Sequence, residues 1–250
     1  MKLFQRIFFA AVLAGLAAGL VMSALQQWKV APLIIAAEVY ETAEPAAHEH
    51  AAAPADTTTA PVAVEAHSHD DDAWAPQDGF ERTAYTVLAD ILGSLAFALV
   101  LVAISVLVKI EITPANGLVW GLCGWIAFHL APAFGLPPEL PGMPAADLGA
   151  RQTWWWATAL LTAGAFLVVA KWRNPLAFVV AAILILAPHI VGAPPQPEEA
   201  SAVPAHLATA FAASALTVSA VFWLLVGPLI GYFNAMLSRA EAPAARSVPA

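Results

Sequence analysis

Residues 66 to 74 read AHSHDDDAW, so His67, His69, Asp70, Asp71 and Asp72 stand almost side by side, with His48, Glu49 and His50 upstream. Neutral imidazole and carboxylate together suit borderline divalent ions such as cobalt, nickel, zinc and copper. An H-x-H pair in an extended segment lets both rings reach one ion. An unstructured chain binds weakly, since ordering it costs about 1–2 kcal/mol per residue. Weak binding suits a collector, which must release what it captures. The plainer reading is a solvated acidic linker whose histidines are incidental.

Three further ionisable residues, Asp90, His129 and His189, lie inside apolar runs. Each falls within roughly 10 Å of the same predicted membrane surface, at 1.5 Å of rise per helical residue. Ionisable groups at such depth are costly and default to a functional hypothesis. Together they read as the lining of a cation entry vestibule. The alternative for either histidine is a neutral ring hydrogen-bonded to a neighbouring helix. Pro132, Pro188 and Pro228 are expected to interrupt their helices, each freeing a carbonyl that must find a partner. Glu139, Met143 and Asp147 lie in GLPPELPGMPAADLGARQ, a loop stiff enough with proline to pack as a cap. His206 begins the last helix and reads as an interface residue with no metal role.

Other chemistries lack their residues. No G-x-x-x-x-G-K-[ST] loop, H-E-x-x-H or G-x-S-x-G occurs, and no cofactor fingerprint is present. The chain is therefore expected to be no enzyme and to hold no cofactor. The single cysteine, Cys123, excludes an intramolecular disulfide and a multi-cysteine metal site.

The elements that must position these groups are membrane helices. The chain has 250 residues, of which 60% are hydrophobic and 11% charged, and its mean hydropathy is +0.74. That balance belongs to an all-α integral membrane protein. A net charge of −8 argues against a nucleic-acid partner. About six segments approach the ~20 apolar residues a spanning helix needs: Phe4–Gln26, Ala84–Val108, Ala115–Phe134, Gln152–Ala170, Leu176–Val191 and Leu207–Phe233. The fifth is short, either a span completed by its flanks or a re-entrant piece. The first follows Lys2 and Arg6 as a signal peptide would, but its apolar run continues to Ala24 with no clean cleavage site, so it reads as a retained helix.

Charge sets the orientation. With a cytoplasmic N-terminus, the inside carries Lys2, Arg6, Lys109, Lys171, Arg173, Arg239 and Arg246, and the outside only Lys29, Arg82 and Arg151. This obeys the positive-inside rule and needs an even number of spans. The acids segregate as well, with only Glu111 and Glu241 inside. Arg82 and Arg151 read as anchors snorkelling to the outer interface, beside Trp154, Trp155 and Trp156. Residues 1–250 thus read as a single membrane domain. Within it, 41–73 is a disordered extracytoplasmic loop bearing histidines and acids, and 235–250 is a cytoplasmic tail. Such a loop makes the outer face strongly negative and concentrates cations there.

LAPAFGLPPELPG from Leu130 and LAPHIVGAPPQPEE from Leu186 echo one another, and APLIIAAE from Ala31 is a weaker echo. The pattern suggests three like-oriented helical hairpins. Pro-rich loops beside a membrane would also account for it.

Several stretches resemble the CbtA family of predicted cobalt transporter subunits, from about Arg6 to Tyr232. They are PLIIAAEVYE, WAPQDGFERTAYTVLADIL, LAPAFGLPPELPGMPAADLGARQTWWW, PHIVGAP, SAVPAHLATAFAASAL and FWLLVGPLIGYF. The resemblance implies uptake of cobalt, for cobalamin synthesis, across a bacterial inner membrane. It also implies a small single-span partner, CbtB. By position, His189 in PHIVGAP and Glu139 in LPPELPG fall on family motifs. The outer loop carries fewer histidines than the dense H-x-H runs of the family. Residue chemistry alone does not choose Co2+ over Ni2+. The other reading is a membrane accessory that binds or senses metal for another permease without transporting it.

Overall fold

A computed structural model describes residues 3–41 and 76–241, and all regular structure among them is helical. The segment bearing His48, His50, His67, His69, Asp70, Asp71 and Asp72 lies outside the described residues. Helix α1 is α-helical over Leu3–Leu25, widens into a π-helical turn over Gln26–Val30, and continues as α-helix over Ala31–Glu41. Helix α2 spans Phe80–Val108. Helix α3 runs over Gly117–Trp125, a second π-helical turn at Ile126–Leu130, and Ala131–Ala133. Helices α4, α5 and α6 are Leu148–Trp172, Pro175–Val191 and Ala205–Glu241. Helices α1, α2, α4 and α6 are long and apolar enough to cross a membrane, and α3 and α5 are shorter apolar helices. The set fits the expected six spans of an all-α membrane protein.

The first helix is longer than expected. Pro32 should have ended it, because a proline ring collides with the carbonyl four residues back and offers no N–H. Instead the Ala31 N–H reaches the Gln26 carbonyl, five residues back, and the helix continues. The same device precedes Pro132, where the Ala131 N–H reaches the Ile126 carbonyl. A π turn inserts one extra residue and moves the obstructing carbonyl aside. The two turns, each followed by Ala-Pro, are the structural form of the weak echo in the sequence. Pro188 and Pro228, expected to interrupt their helices, lie within α5 and α6, which run through them.

Small residues bring the helices close. Gly15 and Gly19 of α1 face Leu95 and Ser94 of α2, so near that a Cβ on Gly19 would stand 2.9 Å from Ser94 Cβ. Gly121 of α3 lies on the backbone of Trp223 in α6, and Gly227 of α6 lies on that of Gly117. Spacings of four on each helix make these small-xxx-small contacts, which allow backbones to meet where lipid supplies no hydrophobic drive. Helix α6 thereby packs between α1 and α3, while α5 packs on α4. Trp223, fully buried, joins Phe222, Val226, Leu101 and Ala14 in the main core.

The two ends differ. At the basic end, Lys109 and Arg173 take left-handed conformations that close α2 and α4. Arg6 Nε donates to Asn234 Oδ1 at 3.0 Å, and Asn234 Nδ2 donates to Glu111 Oε1 at 2.8 Å. That chain of bonds ties α1 to α6 and to the α2–α3 connection. At the acidic end, the Pro-rich loop after α3 packs down as expected of a cap. Its Leu140 is buried among Val30 and Ala37 of α1 and Val203, Leu207 and Phe211 at the start of α6.

Candidate functional site

Asp90 sits on α2 at the contact with α1. The hydroxyl of Ser23, itself buried, lies beside its carboxylate. Neither Ser23 Oγ nor Asp90 Oδ2 has a hydrogen-bond partner of normal geometry. Buried polar atoms almost always find partners, so two orphans facing one another need an explanation. One turn deeper, Ser94 Oγ points at Met22 Sδ, 4.0 Å away. A carboxylate, two hydroxyls and a thioether therefore meet within the α1–α2 contact.

Above them is a cleft of about 380 Å³, whose lining includes Gln26, Gln27, Glu38, Asp78, Arg82 and Thr86. Thr86 lies one turn before Asp90 on the same face of α2. Gln26 and Gln27, which open the π turn of α1, form part of its wall. Its mouth is bridged by Arg82, which pairs with Glu38 of α1 and with Asp78, the latter at 3.2 Å. Arg82, read from the sequence as a snorkelling anchor, is also a bridge between two carboxylates.

His129 lies in the π turn of α3. Its ring packs against Phe97 and Trp223, with centroids 6.1 Å from each. It also borders a cleft of about 340 Å³ shared with Glu139, Arg151, Trp155 and Leu216. Glu139 is engaged on both oxygens. Arg151 Nη2 lies 2.8 Å from Oε2, and Gln196 Nε2 donates to Oε1 at 2.9 Å. Arg151, like Arg82, is paired with a carboxylate.

His189 is on α5, one residue past Pro188. Its ring stands edge-on to Trp154 and Phe134, at 5.7 and 6.3 Å between centroids. It borders a separate cleft, with Leu130, Ala131 and Ile185. The structure therefore puts His129 and Glu139 on one cleft and His189 on another, with Asp90 one turn beyond Thr86, which lines a third. Among the described residues no three His, Cys, Asp or Glu side chains gather closely enough to hold a metal. His206 is exposed at the start of α6.

Sequence reading missed Ser23, Met22, Glu38 and Asp78. Ser23 had a visible signal, the four-residue spacing Gly15, Gly19, Ser23 that marks a close helix contact. Glu38 had none, because its position depends on α1 continuing past Pro32.

A family model described as "Probable cobalt transporter subunit (CbtA)" matches residues 4–235. No curated protein and no solved structure matches the chain. The match covers nearly the whole chain, and the chain belongs to the CbtA family. It is a multi-pass membrane protein of a transporter-subunit family, and the word subunit implies partners.

Proposed function

We propose that this CbtA-family chain is the membrane subunit through which a divalent transition-metal ion, Co2+ first and Ni2+ second, is taken up from the acidic side. The observation that carries the reading is the family match over residues 4–235. The charge pattern supports an acidic end facing away from the cytoplasm of a bacterial inner membrane, with both chain termini cytoplasmic. The segment with His48, His50, His67, His69, Asp70, Asp71 and Asp72 collects the ion and raises its local concentration. Asp90, His129 and His189 receive it as it sheds water, and Glu139 joins them only by releasing Arg151. A divalent ion moving inward gains about 4.6 kcal/mol per 100 mV, so the membrane potential is an adequate drive. A small single-span CbtB-like subunit completes the transporter, and the cobalt serves cobalamin synthesis.

The separation of His129 and His189 into different clefts favours a second reading. In it, the chain binds or senses metal for another permease. Reconstituted alone in liposomes, such an accessory binds Co2+ outside and accumulates none within.

The test is complementation of a deletion strain. Cobalt uptake recovers with the wild-type chain and fails to recover with His129→Ala plus His189→Ala. Equal recovery by the double variant discards these two ligands. No recovery by the wild-type chain discards the uptake function.

A further inference from the structure

We propose that the groove between α1 and α2 is the entry route of the cation, and that Arg82 is its gate. In this arrangement the Arg82 guanidinium occupies the place between Glu38 and Asp78 that an arriving divalent ion takes first. The inference rests on the metal-uptake reading and adds to it a route and a gating residue.

Four observations carry it. The groove is roomy, about 380 Å³, and its walls are mixed, with Gln26, Gln27, Glu38, Asp78 and Thr86 set among Ala31, Ile34 and Ile35. Asp90 is one turn beyond Thr86 on α2, and Ser23 is one turn before Gln26 on α1, so both helices carry the line of the groove toward this pair. There the buried Ser23 hydroxyl faces the Asp90 carboxylate, and neither Ser23 Oγ nor Asp90 Oδ2 makes a hydrogen bond of normal geometry. Such orphaned oxygens in a dry helix contact are stabilised when a cation sits against them. Finally, Ser94, one turn beyond Asp90, directs its Oγ at Sδ of Met22, the neighbour of Ser23, so oxygen and sulfur atoms continue along the contact.

Charge explains the gate. Glu38 and Asp78 attract a divalent ion, but Arg82 neutralises them while it stays. A doubly charged ion interacts with the same carboxylates more strongly than a single guanidinium does at equal distance. Entry therefore exchanges one cation for another. The freed guanidinium is at the mouth, with about a third of its side chain already exposed, so it swings into water at little cost. The ion then passes down the groove to Asp90.

The test is uptake of Co2+, as a function of its external concentration, by cells expressing the full chain with its partner, with membrane levels of each variant measured. Arg82→Gln lowers the concentration for half-maximal uptake, and Glu38→Gln raises it. Each shift is about two- to fivefold, the range expected for a part-exposed charge interaction. Asp90→Asn, which keeps the shape of the side chain, reduces uptake at least tenfold at unchanged protein level. Opposite shifts for the first two variants support the route, because an ion pair that only staples α1 to α2 moves both in one direction. Same-direction shifts, or an Asp90→Asn chain that transports like wild type, overturn it. If an Asp90→Asn chain does not reach the membrane, Ser23→Ala decides in its place, with a raised half-maximal concentration expected and an unchanged one contradictory. A wild-type chain that takes up no Co2+ contradicts the uptake reading itself, whereas wild-type uptake with unaffected variants contradicts only the route.

Discussion

Trp154 Nε1 donates to the carbonyl oxygen of Pro188 at 3.0 Å. This bond joins α4 to α5 immediately before His189, whose ring leans on the same indole. The Pro188 carbonyl also accepts the Gly192 N–H at 3.0 Å, so one acceptor ends α5 and anchors it. Trp154→Phe keeps most of the ring and removes the donor. The expected loss is about 1 kcal/mol, typical of a hydrogen bond between membrane helices. Thermal unfolding in detergent measures it, and an unchanged transition would count against the bond.

The contact of α3 with α6 is the least forgiving in the fold. A Cβ on Gly124 would come within 2.1 Å of Trp223 Cζ3, and a Cβ on Gly121 within 2.1 Å of the Trp223 carbonyl oxygen. Gly121→Val therefore forces two backbones apart and costs at least about 1–3 kcal/mol. Gly164 has nothing within 4 Å of its added Cβ, so Gly164→Ala serves as the tolerated control. The yield of monodisperse protein after extraction should fall for the first and hold for the second.

At the basic end, Asn234 is the middle of a three-residue chain with Arg6 and Glu111. Asn234→Leu leaves Glu111, which is exposed, and Arg6, which is half-buried, without their amide partner, at a cost of about 1 kcal/mol. Since this network is at the opposite end from Asp90, the concentration of Co2+ for half-maximal uptake should not move. A variant with normal thermal stability and altered apparent affinity would make the network part of the pathway.

Much of the fold was legible in residues, because a spanning helix announces itself by a long apolar run. The ends were less so. Helix α4 starts at Leu148, earlier than its apolar run, because Asp147 Oδ1 accepts the Ala150 N–H at 2.8 Å and caps it. Helix α5 gains its first turn from Asn174 in the same way, at 2.8 Å to the Ala177 N–H. Helix α1 outran its expected end because a π turn absorbs Pro32, and nothing local separates such a proline from one that stops a helix. The site was legible only as residue types. Asp90 stood out as a charge among apolar neighbours, but Glu38 and Arg82 are 44 positions apart, and their pairing follows from tertiary contact alone.

Orientation gives a further prediction. An epitope inserted between Thr57 and Asp72 should be cleaved by protease added to spheroplasts, and one appended after Ala240 should be protected until the membrane is broken. Reversed accessibility would put the acidic end in the cytosol and remove the basis for collecting an external cation.

The most direct measurement is accumulation of radioactive cobalt by cells that express this chain together with the single-span partner proposed for it. The account predicts saturable, potential-dependent accumulation that exceeds cells carrying an empty vector and is competed by nickel. Accumulation no greater than the empty vector, with both proteins present in the membrane, would contradict it.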